Sequence, residues 1–152
     1  MSKNLKIIVI ILMIVVLTGI ILLFIFKKDI NYRVIRDGYS DYTSKIISNY
    51  QEYIEFVNYI DSENRTYGKL YDFNAKKYNE QYFKTKSLAI INIITGSGMN
   101  KLKSINFSIS DNTLICTVDI KRPKYGVVTD DMNGKLLLVE IDKSVTNFKI
   151  ER

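Results

Sequence analysis

Three spacings of apolar residues follow one another along the chain. The first is continuous. Ile7 to Phe26 is a run of 20 residues without a charge, interrupted only by Thr18 and Gly19 in a block of Ile, Leu, Val, Met and Phe. At 1.5 Å per residue such a helix is about 30 Å long, the thickness of the hydrocarbon layer of a bilayer. A cleavable signal peptide has a shorter apolar core and ends in small residues; this run ends Leu23-Phe24-Ile25-Phe26-Lys27-Lys28, and no Cys follows it for a lipid anchor. The pattern predicts an uncleaved transmembrane helix over 7–26, preceded by a basic tail over 1–6 and followed by a juxtamembrane segment over 27–44.

The second spacing is helical. Tyr50, Tyr53, Ile54, Val57 and Ile60 recur every three or four residues and form one apolar stripe. Asn49 stands where an N-cap is needed, with Glu52 three residues on, the spacing of a capping box. Asp61 to Ala75 is polar, contains Gly68, and is expected to be a loop. Lys76 to Phe83 is expected to form a short helix bringing Tyr78, Tyr82 and Phe83 together. Aromatic groups beside a strand close a core more often than they form a sugar-stacking platform.

From Ser87 onward the period is two. Ser87–Ile94 reads as a central strand and Thr95-Gly96-Ser97-Gly98 as a turn. Lys101–Ser110 alternates, with Leu102, Ile105, Phe107 and Ile109 expected inward. Asp111-Asn112 is a two-residue hairpin turn leading into Thr113–Ile120. Lys121–Asn133 is a loop around Pro123 and Gly126, Gly134–Asp142 a strand, and Thr146–Ile150 a short terminal strand. Tyr32–Arg36 and Lys45–Ser48 are candidate short strands. Strands in series after a helix, without βαβ alternation, indicate an α+β fold. The expectation is one main helix packed on a mostly antiparallel sheet of four to five strands, forming a single domain over 45–152.

Composition narrows the chemistry. The net charge of +6 resembles a nucleic-acid signal, but four of the 22 basic residues, Lys3, Lys6, Lys27 and Lys28, flank the apolar run. The remaining 18 face 16 acidic residues, a net +2, and no nucleic-acid-binding motif accompanies them. The chain has no His, which removes His-based triads and zinc proteases of the HExxH kind. Its one cysteine, Cys116, lies in the alternating run Leu114-Ile115-Cys116-Thr117-Val118 and is expected to be a core residue. The Thr95–Gly98 glycines do not open a helix as a phosphate or dinucleotide loop would, and Asp130-Asp131 lacks the spaced oxygen ligands of a calcium loop. No cofactor and no metal is expected. Glu80, Asp130, Asp131 and Glu140 are the carboxylates a cell-envelope hydrolase would have to draw on.

The most distinctive loop is Lys121-Arg122-Pro123-Lys124-Tyr125-Gly126, which combines three cations, the single Pro and a Tyr. Arg and Tyr are favoured interface anchors, and Pro stiffens a loop. Thr95, Gly96, Ser97, Gly98, Arg122, Pro123 and Tyr125 are therefore the candidate contact residues for a protein partner.

The order of these features resembles the PrcB-like domain, named for the accessory subunit of a bacterial surface protease complex. It rests on the helix Tyr50-Gln51-Glu52-Tyr53-Ile54-Glu55-Phe56 and on the aromatic approach Tyr78 to Phe83 into Ser87-Leu88-Ala89-Ile90-Ile91. It continues through the Thr95–Gly98 turn, a hairpin, the Pro123 loop and a last strand ending Asp142-Lys143. The family's turn commonly reads Thr-Gly-Gly followed by Tyr, and Ser97 replaces a Gly here. The resemblance implies a binding module, not an enzyme, with an envelope protein or protease as partner. A turn and a Pro loop near one rim also look a little like chagasin-type protease inhibitors. A Lys/Arg count across the apolar run favours the domain inside, whereas the short basic tail has the form of a signal anchor and long domains translocate largely regardless of charge. The expectation is an extracytoplasmic domain on a bilayer anchor, with a cytoplasmic-facing regulatory domain as the alternative.

Overall fold

A computed structural model describes residues 12–18, 30–97, 100–124 and 132–152. Its elements run β1 (Tyr32–Asp37), β2 (Lys45–Ile47), α1 (Tyr50–Tyr67), two 3₁₀ turns (Ala75–Lys77 and Tyr82–Lys84), β3 (Lys86–Ser97), β4 (Lys101–Ser110), β5 (Thr113–Lys121), β6 (Met132–Asp142) and β7 (Asn147–Glu151). The fold is α+β, with one main helix and mostly antiparallel strands. The strands form two sheets, one ordered β1-β6-β3-β2 and one ordered β4-β5-β7, instead of the single sheet of four to five expected. Within the second sheet, β5 and β7 are parallel.

β3 and β6 explain the division. Both are near-continuous apolar runs, which is what a strand buried on both faces requires. Successive side chains point to opposite faces. Leu88 and Ile90 of β3, with Leu136 and Leu138 of β6, face α1 and pack with Tyr53, Phe56 and Ile60. Ala89, Ile91 and Ile93, with Leu137, Val139 and Ile141, face Leu114, Cys116 and Val118 of β5. The layers are thus helix, four-stranded sheet and three-stranded sheet. A fully buried Leu or Ile contributes about 1.5–3 kcal/mol, so both faces of this central pair hold the layers together.

The N-terminus of α1 follows the expected signal at Asn49, with only the return bond of Glu52 displaced by one residue, to Ser48. Asn49 Oδ1 accepts the Glu52 N–H at 2.9 Å, while Glu52 Oε2 reaches back to the N–H of Ser48 at 2.7 Å. The helix does not stop at Ile60; it continues to Tyr67, seven residues into the expected loop. Its polar last turns have partners: Arg36 Nη1 lies 3.7 Å from Glu63, and Asn64 Oδ1 accepts the N–H groups of Leu70 and Tyr71 at 2.8 and 3.1 Å. Gly68, at φ +85°, then ends it. The expected helix over Lys76–Phe83 is two 3₁₀ turns, because Tyr78 and Phe83 both turn into the core beneath α1. These aromatics are core and do not form an exposed platform.

Two further boundaries move. Thr95, Gly96 and Ser97 continue β3 and are not a turn; a register shift between Ile94 and Gly96 (φ +80°) marks the irregularity that the glycine signalled. Lys121, Met132 and Asn133 belong to strands, not to the loop between them. The hairpin turn is as expected, with Asp111 and Asn112 at φ +47° and +59°. Ile109 is 46% exposed, not buried, because β4 lies at the open edge of its sheet.

Residues 12–18 are helical, and Leu12 to Leu17 are each between 55 and 66% exposed. Among the described residues no helix is long and apolar enough to cross a membrane. The rest of the expected span over 7–26 lies outside the described residues.

Candidate functional site

Strand register brings the two loops singled out above to one end of the fold. Ser97 of β3 stands opposite Met132 of β6, and Lys101 of β4 opposite Lys121 of β5. The β3–β4 and β5–β6 connections therefore leave from the same end. Arg122 and Pro123 are exposed there. Gly98 and Tyr125 lie outside the described residues, as do Asp130 and Asp131.

Beneath this rim the backbone is tied down. Thr95 is buried and donates its hydroxyl to Asn133 O at 3.0 Å, while Asn100 Nδ2 donates to Thr95 O at 2.7 Å. Gly38 N–H donates to Gly134 O at 2.8 Å. Thr95 and Gly96 are thus the frame of the rim, and the groups offered to solvent are Arg122, Pro123 and the cations beside them. Lys101, Lys121, Arg122 and Lys124 are exposed, and none of the four has an ion-pair partner among the described residues.

A cleft of about 400 Å³ adjoins the rim across Gly38, lined by Arg36, Ser40, Asp41 and Glu63. Sequence reasoning missed it. Alternation along β1 places Arg36 on the face of Val34, against the second sheet; a bulge between Val34 and Arg36 turns it toward α1. There its guanidinium donates to Tyr71 Oη at 2.7 Å. Tyr59 donates to Asp41 at 2.6 Å, and burial together with that carboxylate holds its phenol above the ordinary range. The Tyr59–Tyr71 hydroxyl contact of 3.4 Å must then take its proton from Tyr71. A directed chain runs from Arg36 through Tyr71 and Tyr59 to Asp41, both ends at the cleft. Asn92 fixes the cleft wall from β3, its side-chain N–H groups donating to Ser40 O and Tyr42 O at 2.7 and 2.8 Å. Charged pairs shared between a strand and a helix leave no periodic signature, which is why this cluster was illegible.

The other carboxylates are not gathered at this end. Glu80 is exposed. Glu140 stands opposite Leu88, toward the far end of the sheet, where it accepts from Tyr78 Oη at 2.9 Å and pairs with Lys77. Burial alone would raise its pKa; the Lys77 and Tyr78 hydrogen bonds and the Lys77 and Lys86 charges outweigh that and lower it. A depressed carboxyl stabilises the fold above its unfolded pKa, near 4.3, and loses that contribution as pH falls through the folded value. Stability should therefore drop as pH falls below about 4, and Glu140→Gln should flatten that part of a urea-midpoint profile. An unchanged profile would show that another group governs the acid limb. Cys116 is buried, and burial pushes its thiol up to about 11, which keeps it an unreactive core residue.

Among the described residues no group of three or more His, Cys, Asp or Glu side chains is placed to hold a metal ion. No protein-family model, curated protein or solved structure matches the chain.

Proposed function

We propose that the chain is a membrane-anchored extracytoplasmic binding module that docks a protein partner through the rim at the β3–β4 and β5–β6 connections. The observation that carries this reading is the position of the rim relative to the chain's entry into the domain. Tyr32 stands opposite Val139, seven residues along β6 from Met132 at the rim. That is about 23 Å at 3.3 Å per residue. A domain hung from its N-terminal end holds Lys101, Lys121, Arg122 and Lys124 away from the bilayer, where they meet an acidic protein surface and not lipid headgroups. The anchor raises local concentration by confining the domain to the membrane surface.

The apolar run supports the anchor. Leu12 to Leu17 lie on a helix that leaves all six side chains uncovered, as a lipid-facing helix does. Thr18 Oγ1 donates back to Ile14 O at 2.8 Å, so its hydroxyl is satisfied within the helix, as hydrocarbon demands. The resemblance to PrcB-like domains points to an envelope protein, a protease among the candidates, and to docking in place of chemistry. The excess of Lys and Arg after the run favours a second reading, a regulatory domain facing the cytoplasm.

Topology is tested first. A C-terminal tag on cells stripped of their wall should be lost to external protease while a cytosolic control is protected; protection until lysis would place the domain inside and promote the second reading. The rim is tested by the Arg122→Ala, Tyr125→Ala double variant. It should weaken partner capture about ten-fold or more, the loss of one or two interface anchors, with an unchanged unfolding midpoint. Equal capture by the variant would remove the rim from the interface.

A further inference from the structure

The docking rim makes no use of the cleft beside Gly38. Arg36 and Glu63 lie deep in that cleft, their side chains 17 and 24% exposed. Their ion pair is not closed: 3.7 Å is too long for a hydrogen bond. Among the described residues the Arg36 guanidinium donates to the Tyr71 hydroxyl alone, and no hydrogen bond reaches the Glu63 carboxylate. Asp41 accepts from Tyr59 through Oδ1 and keeps Oδ2 open. Groups this far from water are normally saturated with hydrogen bonds. Here unused donors and acceptors line one cavity, and they are held in place. Arg36 Cζ sits 5.0 Å over the Tyr71 ring, and Asn92 ties down Ser40 and Tyr42 on either side of Asp41. Tyr39 and Tyr67, 40 and 67% exposed, stand at the mouth.

We infer that this cleft binds an uncharged saccharide. The ligand class follows from what the lining accepts and refuses. An anion would meet two carboxylates, Asp41 and Glu63, against the single cation Arg36. A cation would meet Arg36 beside Glu63, the deeper of the two carboxylates. A purely apolar ligand would strip water from all three charged groups without replacing its hydrogen bonds. A sugar ring satisfies each demand. One hydroxyl accepts from Arg36 while its neighbour on the ring donates to Glu63, since adjacent hydroxyls are spaced much as these two groups are. A further hydroxyl donates to Asp41 Oδ2. The C–H face of the ring lies on a tyrosine, which offers a flat apolar surface with a polar tip. The cavity of about 400 Å³ is of the size of small-ligand sites, about 300–1,000 Å³. Asp37 stands opposite Lys135, three residues along β6 from Met132, so in the anchored orientation the cleft lies in the half of the domain away from the bilayer. The saccharide site rests on its own residues and not on what the rim binds.

The test uses the full chain in a zwitterionic detergent, because a detergent with a sugar headgroup would compete. Saturation-transfer NMR is run from the aromatic protons to a panel of uncharged sugars at millimolar concentration. The panel is glucose, galactose, mannose, N-acetylglucosamine, cellobiose and N,N′-diacetylchitobiose; inorganic phosphate and an end-blocked lysine tripeptide are the charged controls. At least one sugar should take up saturation, with an affinity that does not change from low to high salt, because a neutral ligand has no charge to screen. Tyr67→Ala should weaken that sugar about three- to ten-fold, the loss of one stacking contact, at an unchanged unfolding midpoint. Tyr67→Phe keeps the ring and should bind as the parent does. Arg36→Lys, which loses the planar fork, should weaken binding further. Saturation of no sugar, binding of phosphate or the lysine peptide in their place, or a sugar held equally well by Tyr67→Ala and Arg36→Lys would overturn the proposal.

Discussion

Replacing Phe56 by Ala should destabilise the domain by about 3–5 kcal/mol, the usual loss for a buried aromatic truncated in a core. Phe56 is 1% exposed and meets Tyr42 and Phe73 with ring centroids 5.1 and 5.5 Å away. It lies in the cluster that also holds Leu88, Ile90, Leu136 and Leu138, so the cavity would open between α1 and the four-stranded sheet. A domain with about 5–15 kcal/mol of total stability would be left marginal. Chemical denaturation read by circular dichroism measures the loss. Tyr50→Ala is the control: Tyr50 sits on the same helix but is exposed, and its truncation should cost under about 1 kcal/mol. Comparable losses from the two would mean that α1 does not pack through Phe56.

Gly134→Ala is the second large effect, and its mechanism is crowding. A Cβ at residue 134 would lie 2.4 Å from Ile93 O and 3.3 Å from Ile93 C, both backbone atoms of the neighbouring strand. No side-chain rotation relieves such a contact, so β3 and β6 must separate where they are buried on both faces. The expected loss is about 2–3 kcal/mol, in the range of overpacked cores. Gly134 O also accepts the Gly38 N–H, the link between the rim and the Arg36 cleft. Partner capture should therefore fall with stability in this variant, unlike the rim double variant, where capture alone falls. Gly38→Ala is the comparison, since nothing lies within 4 Å of its Cβ and only the strain of φ +129° is felt. A Gly134→Ala domain as stable as the parent would show that β3 and β6 run farther apart than described.

The helix illustrates what periodicity carries and what it misses. The stripe Tyr50, Tyr53, Ile54, Val57 and Ile60 locates the helix and its mean core direction, but includes exposed Tyr50 and omits Phe56, one of the best-buried residues. A 3.6-residue period gives a direction good to about one residue either side; the exact face is set by where the sheet lies. The end of the helix escapes the pattern for a related reason. Asp61 to Tyr67 is polar on every side, and what holds it helical, the Arg36–Glu63 pair and the Asn64 cap on Leu70 and Tyr71, comes from residues distant in sequence or beyond the helix end.

By itself the sequence determined the α+β class, the helix and its Asn49 cap, the strands over β3 to β7 to within a few residues, the Asp111-Asn112 turn and the core position of Cys116. These are local properties: period, turn chemistry and capping act over fewer than about ten residues. The apolar run over 7–26 and the proposed anchor also rest on sequence. Tertiary structure alone decided that the strands form two sheets, because which strand pairs with which is set by contacts between residues distant in sequence, and no local pattern carries it. It alone brought the two loop connections to one end, since register is a property of strand pairs and not of strands. It also placed Arg36 beside Tyr71 and Glu63, because one extra residue in β1 reverses the face that alternation assigns.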